Sequence, residues 1–210
     1  QCRGLAMKVE SFDGTGKSLI NEKGELVCTR AFPSMPVTFW NDPDGSKYRN
    51  AYLVDFPGVW AHGDYISINE HGGVKIFGRS DATLNPAGVR IGTAEIYRVV
   101  EAFPEIEDSL AIGQQWEGDE RVILFLKMSE GEEASADLES RLKEAIRSGC
   151  SPRHVPAKML VVPDIPYTIN GKKVEIAVKN IIHGDEVLNR DALANPESLS
   201  FYNNLEALKN

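Results

Sequence analysis

The sequence contains no CxxC pair; its three cysteines, Cys2, Cys28 and Cys150, are odd in number and far apart. That pattern excludes a disulfide framework and points to a reducing, cytoplasmic setting. The four histidines, His62, His71, His154 and His183, lack metal-ligand spacing, so no resident metal is expected. No apolar run approaches the roughly 20 residues that a membrane span needs. Basic residues are also in short supply: 23 Lys and Arg against 31 Asp and Glu leave a formal charge of −8. With no interleaving of basic and aromatic residues, a nucleic-acid partner is excluded. An anionic ligand must therefore be held by a few local cations and by backbone N–H groups. A complete P-loop is missing too. Gly14-Thr15-Gly16-Lys17-Ser18 has only the end of one, and its place between Asp13 and Asn21 suits a hairpin turn. The opening Gln1-Cys2-Arg3-Gly4-Leu5 has neither signal-peptide nor initiator character, which leads us to expect a piece of a longer chain.

What is present is the composition of a globular protein: 42% apolar and 26% charged over 210 residues. Residues 1–80 read as β-rich. Asp64-Tyr65-Ile66-Ser67-Ile68, the turn His71-Gly72-Gly73 and Val74-Lys75-Ile76-Phe77 predict a β-hairpin, while Pro33 to Gly58 reads as loop. After a polar connector from Gly78 to Gly88 the signal changes. A strand near residue 89 is followed by a helix with Thr93 as N-cap and Ile96, Val99, Val100 and Phe103 on one face. Strands are predicted at Ser109–Gly113 and Arg121–Met128. Ser135 should cap a second helix that stops at Gly149, with Leu138, Leu142 and Ile146 inward. A strand at Met159–Val162, a turn at Pro166–Gly171 and a third helix near Val174–Ile182 complete a small α+β unit. Leu199, Tyr202, Leu205 and Leu208 predict a docking helix in the tail.

Three motifs stand in order: Trp60-Ala61-His62-Gly63-Asp64; Gly78-Arg79-Ser80-Asp81 with Asn85-Pro86-Ala87-Gly88-Val89-Arg90-Ile91-Gly92; and Pro166-Tyr167-Thr168-Ile169-Asn170-Gly171-Lys172. Together they resemble the adenylate-forming superfamily of acyl-CoA synthetases, and Gly78 to Ile96 resembles its acetyl- and acetoacetyl-CoA synthetase branch. Asn170-Gly171-Lys172-Lys173-Val174-Glu175 and the tail's Asn195-Pro196-Glu197 incline the resemblance toward acetoacetate as the acid. The resemblance implies an α+β architecture. Residues 1–80 would be the β-rich end of a large adenylation domain, 81–184 a mobile small domain and 185–210 a carboxyl-terminal extension. It also implies ATP with Mg²⁺, coenzyme A and a small carboxylic acid as reactants.

The same resemblance assigns roles. Asp64 would accept the ribose hydroxyls, where its local context alone suits a turn aspartate. Arg79 would stand beside ribose and phosphate and Asp81 at the hinge, although the two also suit a surface ion pair. Arg90 would reach the phosphates. Gly88 would let backbone lie against the pantetheine arm, or simply serve a turn. Lys172 would act in adenylation, with Lys173 a neighbouring competitor and a solvated lysine pair the plainer alternative. Arg147, 25 residues before Lys172, falls where a cation would meet the CoA nucleotide, and equally suits a solvated helix face. His62 is expected to be a packing or solvent residue. Thr168-Ile169-Asn170-Gly171 and Cys150-Ser151-Pro152-Arg153-His154-Val155-Pro156 depart from the acetyl-CoA synthetase pattern. The family's phosphate loop is absent, so an incomplete active site, inactive in isolation, is expected. The alternatives are a sibling short-chain ligase and a non-catalytic CoA- or partner-binding module.

Overall fold

The computed structural model describes residues 8–187 and 190–209; Cys2 and the rest of the opening segment lie outside the described residues. The chain divides into two compact units, one ending at Asp81 and the other beginning at Ala82.

The first unit is a five-stranded antiparallel sheet of order β2-β1-β3-β4-β5, with β1 Val9–Phe12, β2 Ser18–Leu19, β3 Lys23–Cys28, β4 Trp60–Ile68 and β5 Val74–Arg79. The lysine-bearing segment forms the β1–β2 turn over residues 13–17, with Ser18 already in β2. Asp13 Oδ1 accepts from the N–H groups of Thr15 and Lys17 at 2.8 and 2.9 Å, the local bonding by which aspartate favours turns. The β4–β5 hairpin forms as expected, with Asn69 Oδ1 accepting from Gly73 N at 2.8 Å. The stretch read as loop contains a helix, α1, Ser46–Tyr52. Periodicity could not reveal it because none of its residues is buried. What starts it is Asp42, itself buried, whose carboxylate accepts from Lys47 N and Tyr48 N at 3.0 and 2.9 Å. Tyr52 of α1 stacks on Trp60 of β4 at 3.6 Å between centroids.

The second unit is three layers deep. Its sheet, of order β6-β7-β8, comprises β6 Ile106–Trp116, β7 Asp119–Met128 and β8 Lys158–Val161; β6 and β7 are antiparallel, β7 and β8 parallel. On one face Ala111, Val122, Leu124 and Leu126 pack with α2 (Thr93–Val100) and α3 (Ala136–Gly149) through Ile96, Val100, Leu142 and Ile146. On the other, Leu110, Ile112, Ile123 and Phe125 pack with α4 (Glu175–His183) and the tail through Val178, Leu199 and Tyr202. Because both faces are covered, β7 reads as an unbroken apolar run, Val122 to Leu126.

Ser135 caps α3 as expected, its Oγ accepting from Leu138 N at 3.1 Å. Gly184 ends α4 at φ 78°. Three expectations are corrected. Gly92, not Thr93, is the N-cap of α2, and Thr93 is buried inside the first turn. The strand expected near residue 89 is a single bridge, Leu84 to Ile91. The tail docks as two 3₁₀ turns, Pro196–Tyr202 and Glu206–Leu208, rather than as an α-helix. Its end is held by main-chain carbonyls: Leu208 O accepts from Gln114 Nε2 at 3.1 Å and Arg121 Nη2 at 2.8 Å, and Ala207 O from Lys158 Nζ at 2.6 Å.

Candidate functional site

In the first unit, three of the singled-out residues meet at the end of the β4–β5 hairpin. Asp64 and Arg79 are cross-strand partners, which brings their side chains to one spot. The guanidinium forks onto Asp81, Nη2 to Oδ2 at 3.0 Å and Nε to Oδ1 at 3.3 Å, and Nη1 lies 3.9 Å from Asp64 Oδ1. The bonded Asp81 carboxylate raises the Arg79 pKa further, with Asp64 and Tyr52 adding to it, against a smaller opposing effect of burial. His62 takes a part that its sequence context did not suggest: Nε2 is 3.4 Å from Asp64 Oδ2. Gly63 is needed here for shape. It sits at φ 82°, and a Cβ would lie 3.0 Å from Arg79 Nη2.

In the second unit Gly88 and Arg90 occupy one exposed loop, and Lys172 another. The Gly88 loop is strained at Ala87, φ 50°, and at Gly88, φ 73°. Acids of the β6–β7 hairpin hold it by its backbone. Ala87 N donates to Asp119, 3.0 Å from each carboxylate oxygen, and Asn85 N donates to Glu120 Oε1 at 2.5 Å. Glu120 is buried against Gly113, where a Cβ would stand 2.0 Å from the Glu120 carboxyl carbon, and Lys179 Nζ approaches it at 3.2 Å. At Gly88 itself a Cβ would meet nothing within 4 Å, so backbone conformation, not crowding within this unit, calls for glycine.

Lys172 and Lys173 have opposite surroundings. Lys172 is exposed on a tight turn closed by Thr168 N to Lys172 O at 2.8 Å, with Gly171 at φ 70°, and its ammonium has no partner among the described residues. Lys173 is largely buried: Nζ bonds Asp108 Oδ1 at 2.6 Å, Glu101 Oε1 and Ser109 O, and lies 4.2 Å from the Tyr97 ring centre. Tyr167, on the other stem of the turn, donates to Asp108 Oδ2 at 2.6 Å; burial and that carboxylate push its phenol pKa up. Asn195, known from the sequence only as a marker, braces the same stem. Its Oδ1 accepts from Tyr167 N at 2.8 Å, and Ile169 N donates to Ala192 O at 2.9 Å. Just after the turn, Glu175 accepts from Tyr97 Oη at 2.9 Å, and burial raises its pKa.

Arg147 sits in the last turn of α3, exposed and paired with Glu144 at 3.0 Å. The unusual segment from Cys150 to Pro156 packs on the start of α2: Cys150 Sγ donates to Glu95 O at 3.4 Å, and His154 lies between Ser151 Oγ and the Glu95 carboxylate. Asp108, Asp119 and Glu120 escaped the sequence reading because acids at strand ends look like solvated turn residues. Among the described residues no three His, Cys, Asp or Glu side chains converge as a metal site. Among them, too, no helix is long and apolar enough to cross a membrane.

No family model matches the chain. It is 57% identical to an acetoacetyl-coenzyme A synthetase of Rhizobium meliloti over 206 residues, 98% of this chain and 32% of that protein. It is 56% identical to an acetoacetyl-CoA synthetase of Gallus gallus, across 100% of this chain and 32% of the relative. The chain thus spans about a third of the length of these curated relatives. Among solved structures, acetoacetyl-CoA synthetase from Streptomyces lividans superposes with a TM-score of 0.90 at 42% identity, covering 97% of this chain and 31% of that one. The amide bond synthetase McbA of Marinactinospora thermotolerans shares the fold at a TM-score of 0.69 and 20% identity, over 83% of this chain and 34% of its own. By sequence and fold together, this stretch is similar to about a third of the length of acetoacetyl-CoA synthetases.

Proposed function

We propose that this chain supplies the mobile, lysine-bearing part of an ATP-dependent acid–thiol ligase that converts acetoacetate, ATP and CoA to acetoacetyl-CoA, AMP and diphosphate. The observation that carries the reading is the contrast between the two adjacent lysines: Lys173 is committed to Asp108 and Glu101, while Lys172 offers a free ammonium at the tip of a turn. In the first half-reaction a carboxylate oxygen attacks the α-phosphorus and diphosphate leaves. The ammonium of Lys172 can contact both the attacking oxygen and the α-phosphate as charge builds there. Mg²⁺ would arrive on the nucleotide phosphates and offset their charge. In the second half-reaction the CoA thiolate attacks the acyl carbonyl and AMP leaves.

Asp64 would accept the ribose hydroxyls, with Arg79 beside ribose and phosphate. Arg90 would reach the phosphates, Gly88 would lie along the pantetheine arm, and Arg147 would meet the CoA nucleotide. Asp81, the last residue of the first unit, would be the hinge between half-reactions, residues 1–80 belonging to a larger adenylation domain and 185–210 forming an extension. That Cys28 and Cys150 are thiols rather than disulfide sulfurs supports a cytoplasmic setting, and acetoacetate as substrate would tie the enzyme to ketone-body and lipid metabolism.

The test is carboxylate-dependent exchange of diphosphate into ATP by the complete enzyme, with acetoacetate, acetate and butyrate in parallel, and by the 210-residue chain alone. Acetoacetate should be preferred, the chain alone should be silent, and Lys172→Ala should cost roughly 10²–10³-fold in exchange while sparing thioester formation from supplied acyl-adenylate. Equal loss of both steps would remove Lys172 from its role. Asp81→Pro should impair one half-reaction far more than the other; uniform slowing would argue against a hinge.

A further inference from the structure

Nothing in the assigned roles accounts for Asp108. It lies near the start of β6, where the register shifts: Ile106 pairs with Met128 and Asp108 with Lys127, leaving Glu107 as the extra residue of a bulge. Residues two apart on a regular strand share a face. The bulge breaks that rule, so Ile106 packs among the α2 and α3 residues while Asp108 faces the opposite side, with Leu110 and Ile112. There its two carboxylate oxygens divide between the two stems of the Lys172 turn. Oδ2 accepts from Tyr167 Oη and Oδ1 from Lys173 Nζ, each at 2.6 Å. Tyr167 and Lys173 are also partners in an antiparallel bridge, so main chain and side chains tie the same two residues. The carboxylate is only 15% exposed, and the ammonium it holds 16%, so the pair is shielded from solvent screening.

We propose that Asp108 is a positioning residue for Lys172, fixing the base of the turn so that the ammonium reaches the α-phosphate from a set origin. Glu101 and Ser109 O also hold Lys173, but among the described residues only Asp108 spans both stems. The proposal rests on the reading of Lys172 given above. A misplacement of about 1 Å can cost on the order of 10²-fold in a positioned reaction.

The experiment uses the complete enzyme with Asp108→Ala and Asp108→Asn, each alone and combined with Lys172→Ala. Diphosphate exchange and thioester formation from supplied acyl-adenylate are measured separately, with circular dichroism to verify folding. Asp108→Ala should slow exchange about 10- to 100-fold through kcat, with thioester formation within about 2-fold. Asp108→Asn, which keeps the shape and one acceptor, should fall between it and the parent. In the Lys172→Ala background, Asp108→Ala should cost nothing further in exchange, because its effect passes through that ammonium. Additive losses, or equal loss in both half-reactions, would overturn the proposal. If Asp108→Ala does not fold, the same comparison is made with Asp108→Asn, where unchanged exchange would overturn it. Failure of the Lys172 reading itself would look different: Lys172→Ala alone would then leave exchange intact.

Discussion

Two exposed loops of the second unit are both tied down by acids of the β6–β7 pair, but by different handles. The Asn85–Arg90 loop is gripped by its backbone, through Asn85 N on Glu120 and Ala87 N on Asp119. The Thr168–Lys172 turn is gripped by side chains flanking it, Tyr167 and Lys173 on Asp108. A carboxylate on main-chain N–H groups fixes φ and ψ, and this loop holds two consecutive left-handed residues, Ala87 and Gly88. A carboxylate on side chains at the stems fixes where a turn begins and leaves its tip free to move. The first arrangement suits a surface that must present a set backbone path, the second an ammonium that arrives and departs.

Breaking the backbone grip should have the largest effect on stability. Gly113→Ala places a Cβ 2.0 Å from the Glu120 carboxyl carbon and must expel that carboxylate from Asn85. Overpacking of this kind costs about 1–3 kcal/mol, read as a lower melting temperature. Hydrogen exchange should accelerate at Asn85 and Ala87 and stay unchanged at Ile169; acceleration at both loops would erase the distinction drawn here. Next is Asn195→Ala, which strips the acceptor from Tyr167 N. Leaving that part-buried donor unpaired should cost about 1–2 kcal/mol, with faster exchange at the lysine turn and none at Asn85.

A smaller effect, and one that depends on pH, is expected just beyond that turn. Burial raises the Glu175 carboxyl above its ordinary 4.5. A raised acid favours folding while protonated, below its unfolded value, and that contribution is lost as pH rises through the folded value. Glu175→Gln should therefore gain melting temperature relative to the parent as pH rises from about 4 to about 8; a difference that is flat in pH would contradict this. Least of all should follow from Arg147→Ala. Its exposed pair with Glu144, at 3.0 Å, is worth roughly 0–0.5 kcal/mol, so melting should barely move.

The fold was legible wherever one face of an element is dry and the other wet. α3 showed its cap, its apolar stripe and its stop; the β4–β5 hairpin showed its alternation and its turn. Legibility failed where structure is decided by polar contacts. Helix α1 has no fully buried residue and is started by Asp42 at a distance of several residues, and the tail folds as 3₁₀ turns that share the same apolar spacing as a helix. The candidate site divides in the same way. Asp64, Arg79 and Asp81 stand close in sequence or across a hairpin, so their meeting could be foreseen. The resemblance picked Lys172 over Lys173, but the residues of an adjacent pair do not by themselves show how differently the two are surrounded. That difference depends on Asp108, more than sixty positions upstream and brought to Lys173 by a bulge.

The contacts of Gln114, Arg121 and Lys158 at the tail all end on carbonyl oxygens of residues 207 and 208. Such a clasp does not inspect side chains. Substitutions at 206, 207 and 209 can accumulate without loosening it, whereas inserting or deleting one residue between Tyr202 and Leu208 would shift the carbonyls out of reach. The clasp therefore measures length, and drift in this segment should be wide in letters and narrow in spacing.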